Sequence, residues 1–184
     1  MAWFLVAALL AVGSPAFAQP AEQPLWRSGA PAEMARLDSL PGEYDVRLFL
    51  PGRTAPLDTT TRVTISRILG GAALLIEGPH PFTPAPIDVL VILAYDRFNG
   101  VYRLSAADAM TGQLDIFEGN WDGDRLVMTN LRAGTFVTDQ SSGQRFHSRL
   151  VITPGTPLTI ESAFSPDEGK TWFPPSRQEF ARIE

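Results

Sequence analysis

The 184-residue chain contains no cysteine and only two histidines, His80 and His147. Without cysteine there is no disulfide, no thiolate metal site and no cysteine nucleophile. Two histidines do not build a multi-histidine zinc site without carboxylate ligands, and no pattern in the sequence nominates such carboxylates. We therefore predict no metal site, and we expect the fold to be held together by its apolar core alone.

The sequence also lacks the short motifs of common enzymes. It has no G-x-S-x-G nucleophile elbow, no H-E-x-x-H zinc helix, no phosphate-binding loop and no dinucleotide fingerprint. We therefore name no catalytic residue and predict no cofactor. An enzyme is still an alternative, because barrel isomerases and hydrolases work with scattered polar groups.

Blocks of positive charge are missing as well. The chain has 15 basic and 20 acidic residues, for a net charge of −5. A mildly acidic chain without a basic cluster argues against binding to nucleic acid or to an anionic membrane surface. A small apolar molecule is the partner class that this composition leaves open.

The first 18 residues have the three parts of a secretory signal peptide. An apolar run over residues 3–12 is broken by Gly13, Ser14 and Pro15, and Ala16-Phe17-Ala18 supplies the small-x-small cleavage pattern. The run is shorter than the roughly 20 residues that span a bilayer, so we predict no membrane span. We expect a periplasmic or secreted protein with a proline-rich extended leader over residues 19–31.

Residues 32–184 are predicted to form a single all-β domain. Apolar and polar residues alternate in short stretches, and turn signals such as Asn99-Gly100 and Asp122-Gly123 separate them every 8–12 residues or so. This pattern predicts an antiparallel up-and-down meander of about ten strands, closed into a lipocalin-like barrel. Met34, Leu37 and Leu40 predict a short N-terminal helix in front of it.

Two stretches depart from the alternating pattern. Residues 79–86 contain four prolines and are predicted to be a loop at the barrel mouth. Residues 87–94 are apolar on both faces, so we expect the N-terminal helix or another subunit to cover the outside of this strand. A homodimer or an envelope interaction protein is therefore an alternative function.

The stretch "SPDEGKTW" has the order S-x-D-x-G-x-T-W, with Ser165, Asp167, Gly169, Thr171 and Trp172 at the fixed positions. That order is similar to the Asp box, which sialidases repeat in several propeller blades. Here one copy occurs without any blade repeat. We therefore interpret it as a structural hairpin rather than as the mark of a glycosidase.

Aromatic residues and one methionine on the predicted strands form the candidate ligand site. Aromatic side chains with polar tips line pockets inside barrels, although the same side chains also simply fill a core. The predicted ligand-binding residues are Tyr44, Tyr95, Tyr102, Phe117, Trp121, Met128 and Phe136.

Five stretches in a fixed order resemble a bacterial family of exported domains of unknown function with a calycin, or lipocalin-like, barrel. They are "LDSLPGEYDV", "RILGG", "AYDRFNGVYRL", "GNWDGDRLVM" and "SPDEGKTW" followed by "EFAR". Tyr44 stands where the family usually has Trp, and Glu168 where it usually has Gly. The resemblance implies the barrel but no reaction and no catalytic residue. Haem-binding barrels of related shape carry G-x-W-x-G, and "PGEYDVRL" lacks its second glycine, which disfavours haem.

Overall fold

A computed structural model describes residues 29–82 and 84–184 of the chain. The predicted signal peptide lies outside the described residues, and so does most of the predicted leader. In the described part, no helix has the length and apolar character that crossing a membrane requires.

The described residues form one short 3-10 helix, Ala32–Leu37, followed by eleven β-strands and a second 3-10 turn at Leu69–Gly71. The strands are, in chain order, β1 (Gly42–Phe49), β2 (Thr60–Ile68), β3 (Ala73–His80), β4 (Ile87–Asp96), β5 (Val101–Asp108), β6 (Leu114–Asp122), β7 (Arg125–Thr129), β8 (Val137–Thr138), β9 (Arg145–Thr153), β10 (Leu158–Ser165) and β11 (Ser176–Arg182).

Ten of these eleven strands close into an antiparallel barrel. Strands β1 to β7 pair in sequence, β7 pairs with β9, and β9, β10 and β11 continue to β1, where Val46 faces Phe180. The two-residue strand β8 is added outside the ring, where Val137 pairs with Phe146 of β9. The predicted meander of about ten strands, closed into a lipocalin-like barrel, is confirmed.

The alternation in the sequence decides which side chains fill the barrel. Every second residue of a strand points inward, so Tyr44 and Val46 of β1 are buried while Arg47 is exposed. The same period holds on the other strands, from Leu74 and Ile76 of β3 to Phe180 of β11. Each buried Leu, Ile or Phe side chain contributes about 1.5–3 kcal/mol, so the interior row supplies the main stabilisation.

Three hairpin turns share one construction, D-x-x-x-G, at residues 96–100, 108–112 and 139–143. The glycine N–H donates to the aspartate carbonyl at 2.8, 3.1 and 2.8 Å, and the glycines have φ of 65°, 64° and 71°. The aspartate side chain accepts the N–H two residues later at 2.9, 2.9 and 2.7 Å. Glycine adopts this left-handed conformation without strain, so each turn is built by its two end residues.

The predicted N-terminal helix is present and covers one end of the barrel. The expectation that it covers the outer face of β4 was wrong at Leu90, which is 46% exposed. Met34 and Leu37 are buried in the main core cluster. The hydroxyl of Tyr102 donates to the carbonyl of Glu33 at 2.6 Å, and Arg36 donates to the carbonyl of Gly123 at 2.8 Å. These bonds tie the helix to β5 and to the turn between β6 and β7.

The expectation of a loop from residue 79 was wrong for its first two residues. Strand β3 continues through Pro79, which faces Asp88 of β4, and ends at His80. Beyond Glu77, β3 pairs with β4 alone, and a proline is tolerated where a strand has a free edge. The described residues of 81–86 form no strand or helix.

Candidate functional site

The barrel encloses a cavity of about 160 Å³. Its walls are mainly apolar, with polar side chains from β3, β10 and β11. In the described part of the chain the apolar lining residues are Ile76, Val91, Leu104, Ala106, Leu150, Ile152 and Ile160, and the polar ones are His80, Ser162 and Gln178.

The position of His80 follows from the alternation of β3. Leu74 and Ile76 point inward, so His80, four residues beyond Ile76, also reaches the interior. Gly78, between Ile76 and His80, lies against β2. A Cβ added to Gly78 would be 2.7 Å from the carbonyl oxygen of Arg62. Only glycine allows β3 to run this close to β2 and still deliver His80 to the cavity.

His80 is held from one side of its ring. Its Nδ1 lies 3.1 Å from Oε1 of Gln178, and its ring packs edge-on against Phe180 at 6.1 Å between centroids. Its other nitrogen, Nε2, is buried and has no hydrogen-bond partner among the described residues. Leaving a buried polar atom unpaired costs about 1–3 kcal/mol, so a hydrogen-bond partner at Nε2 would stabilise the protein.

Burial lowers the pKa of His80 below its ordinary value, and the bond to Gln178 offsets this only in part. The residues that line the cavity in the described chain include no Asp, Glu, Lys or Arg. The imidazole is therefore neutral near pH 7. An enzyme mechanism that needs two titratable groups in the cavity would have only one of them, His80, among the described residues.

A second buried polar group, Asn130, is satisfied within the protein. Its amide nitrogen donates to both carboxylate oxygens of Asp115 at 3.1 Å, and its oxygen accepts the backbone N–H of Ser148 at 2.7 Å. Asn130 is fully buried. Because its hydrogen bonds are made by neighbouring strands, it fixes the end of β7 and leaves no atom open for a ligand.

The seven residues predicted to bind a ligand fall into two groups. Six lie in the barrel, either in the buried core or packed against it: Tyr44, Tyr95, Tyr102, Phe117, Trp121 and Met128. Phe136 lies outside that core cluster, with the guanidinium of Arg145 at 4.3 Å from its ring centroid. None of the seven is among the described residues that line the cavity. Their role in binding stays a prediction.

Sequence reasoning missed Ser162 and Gln178 as cavity residues. It placed His80 at the barrel mouth but treated it as an ordinary polar residue. The available signal was the period of two in "SRQEFARI", which puts Gln178 on the same face as the buried Phe180. The meeting of His80 and Gln178, 98 residues apart, needs the closed barrel and has no signature in sequence.

The Asp box forms the hairpin that was predicted. Asp167 accepts the N–H of Thr171 at 2.8 Å and its hydroxyl at 2.7 Å, while Ser165 accepts the N–H of Gly169 at 2.7 Å. Trp172 lies under the guanidinium of Arg149, at 4.8 Å from the ring centroid. Because these polar groups bond to one another, the motif works here as a turn between β10 and β11.

Metal and haem sites find little support in the geometry. Within residues 29–82 and 84–184, no three His, Asp or Glu side chains cluster closely enough to hold a metal ion. An apolar cavity of about 150 Å³ holds a benzene molecule, so the present cavity is far too small for a porphyrin beside His80.

Comparison with known proteins adds no relative. The chain matches no family model, and no curated protein matches it. The fold is therefore established by the structure alone, as a closed ten-stranded barrel with an interior cavity. Membership in a calycin-like family of exported domains stays a prediction from the sequence motifs.

Proposed function

We propose that this protein is an exported barrel that binds a small, mostly apolar molecule in its interior cavity. The observation that carries the proposal is the cavity itself, which seven apolar and three polar residues of the described part of the chain line. Ligand sites in proteins are typically concave, mainly apolar and equipped with a few polar groups that set orientation.

The neighbouring residues Ala106 and Ala107 on β5 give a matched pair for a test. Ala106 lines the cavity, while Ala107 lies on the outer face of the same strand, where it faces Leu90 of β4 and Leu114 of β6. The same substitution, alanine to leucine, therefore fills the cavity at one position and leaves it open at the other.

Native mass spectrometry on protein incubated with an envelope extract is the direct experiment. The wild type and Ala107→Leu are expected to carry an added mass that disappears on denaturation, and Ala106→Leu is expected to carry none. An added mass retained equally by Ala106→Leu would place the molecule outside the cavity. No added mass on any of the three proteins would count against the binding function.

Export is part of the same proposal and has its own test. The signal-peptide pattern supports cleavage after Ala18, which leaves Gln19 as the first residue. The intact mass of protein recovered from the periplasmic fraction or the medium is expected to lack residues 1–18. Full-length protein confined to the cytoplasm would contradict the proposed location.

A second candidate function is self-association through the outer face of β4 to β6. Leu90 and Leu114 are 46% and 57% exposed and lie in one cross-strand row with Ala107. Exposed apolar side chains in a row favour a contact with a second copy. Light scattering is expected to show a dimer that Leu90→Lys dissociates and that Phe98→Lys, in an exposed turn, leaves intact. A monomer at all concentrations would remove this candidate.

A further inference from the structure

His80 lines the cavity and carries one polar atom whose hydrogen-bonding character can be assigned. Within the described residues, its Nε2 is buried and unpartnered, while Nδ1 lies 3.1 Å from Oε1 of Gln178. Given the proposed binding function, this atom indicates the class of molecule that the cavity selects.

The contact with Gln178 fixes the tautomer of the imidazole. An amide oxygen carries no hydrogen and only accepts, so Nδ1 of His80 must carry the ring proton and donate it. A neutral imidazole has one N–H, and it is already used. Nε2 is then a bare lone pair, which accepts a hydrogen bond and cannot donate one.

No neighbouring group changes this assignment. The side chains that share the cavity with His80 in the described chain are aliphatic except for Ser162 and Gln178, and no charged group faces the ring. The hydroxyl of Ser162 lies 2.7 Å from that of Ser176, so it already has a partner on β11. Nε2 of His80, by contrast, is buried and has no hydrogen-bond partner among the described residues.

We propose that the cavity selects small apolar molecules that carry a hydrogen-bond donor, a hydroxyl or an N–H, which bonds to Nε2 of His80. A carboxylate is disfavoured at Nε2, since it offers only acceptors to a lone pair, and among the described residues no cation lines the cavity. The volume of about 160 Å³ matches a molecule about the size of phenol.

Four probes of similar shape separate the possibilities: phenol, benzene, anisole and benzoate. Phenol donates a hydrogen bond, benzene neither donates nor accepts one, anisole only accepts, and benzoate is an anion. Dissociation constants from calorimetry or from chemical-shift titration are expected to favour phenol over benzene and anisole by about tenfold or more. Benzoate is expected not to bind.

His80→Phe tests whether the preference comes from the ring nitrogen. It keeps an aromatic ring of similar size but removes the acceptor, so phenol and benzene are expected to bind with nearly equal affinity. His147→Phe is the matched control, because His147 lies on the outer face of β9, beside the Phe136 ring. It is expected to keep the full preference for phenol.

A measurement on the wild type does not depend on any variant folding. The nitrogen-15 shifts of the His80 ring report which nitrogen carries the proton, and Nδ1 is expected to carry it. A proton on Nε2, or equal affinities for phenol and benzene in the wild type, would overturn the selection rule while leaving binding intact. If none of the four probes binds, the proposed binding function fails together with this inference.

Discussion

The guanidinium of Arg182, on the last strand, donates a hydrogen bond to the phenol oxygen of Tyr44 on the first strand, at 2.7 Å. The Tyr44 hydroxyl in turn donates to the carbonyl of Leu40 at 2.6 Å, and Arg182 also donates to the carbonyl of Pro41 at 2.8 Å. One arginine thus links β11, β1 and the segment that leads in from the helix.

Removing this arginine is expected to weaken the seam between the first and last strands. Arg182→Met should lower the free energy of unfolding by about 1–2 kcal/mol, because it leaves the Tyr44 oxygen and the Pro41 carbonyl without their donor. Arg47→Met is the control on the same pair of strands. The Arg47 side chain is 47% exposed where it pairs with Glu179, so a loss of less than about 1 kcal/mol is expected. Urea unfolding that shows equal losses would contradict the special role of Arg182.

Gly119 on β6 is expected to tolerate no side chain. A Cβ at this position would overlap the carbonyl oxygen of Val127 on β7, so Gly119→Ala should cost about 1–3 kcal/mol or prevent folding. Gly155→Ala is the matched control, since the nearest atom to its added Cβ is 3.4 Å away. Thermal unfolding of both variants checks this, and an unchanged midpoint for Gly119→Ala would show that β7 moves aside.

Two turn aspartates are expected to titrate below the ordinary value of 3.8, each because of its own hairpin. Hydrogen bonds from the Ser141 hydroxyl and from the N–H groups of Ser142 and Ser141 lower the pKa of Asp139 to about 2. The N–H of Thr171, then its hydroxyl, lower the pKa of Asp167. Carboxyl carbon titration by NMR should show Ser141→Ala raising only the first pKa and Thr171→Val raising only the second. If Ser141→Ala changed the pKa of Asp167, or Thr171→Val that of Asp139, the two turns would interact and the prediction would be wrong.

Stability should depend on pH through His80. Burial lowers the pKa of His80 below 6.5, so the unfolded state takes up a proton before the folded state does. The free energy of unfolding therefore rises with pH between the pKa of His80 in the folded protein and 6.5. The stability that His80 contributes is complete above about pH 6.5 and is lost as the pH falls toward its pKa in the folded protein. Urea unfolding at about pH 7.5 and about pH 5 should show a larger loss for the wild type than for His80→Gln. An equal loss in His80→Gln would contradict the prediction.

The fold could be predicted from sequence because its signals are local. The alternation of apolar and polar residues predicted which side chains of strands such as β1 and β9 point inward. Asn99-Gly100 marked the turn between β4 and β5. One local rule failed where the sheet overrode it. Pro79 was placed in a loop because prolines interrupt sheets, but only one side of β3 is paired there. Strand β8 pairs over only two residues, within the stretch "GTFVTD" that the sequence pattern marks as a strand.

The candidate site was less accessible to sequence reasoning because it depends on distances across the barrel. Tyr44, Tyr102 and Phe117 were chosen for their chemistry, and they lie in the core. His80 and Gln178 form the polar part of the cavity, and they come from β3 and β11, which are not neighbours in the sheet. Their meeting depends on how ten strands tilt around a common axis, and no local pattern encodes that.

The pairing of β1 with β11 also bears on how the chain folds. Tyr44 already has β2 as one neighbour, but its second partner strand is complete only when residue 182 is available, 138 residues later. Until then β1 and β10 are open edges, and the barrel cannot close around its core. Contacts so distant in sequence make folding slow, so the growing chain stays without its final structure until its last strand has been synthesised. Such a delay is compatible with the proposed export, in which a polypeptide crosses a membrane before it folds.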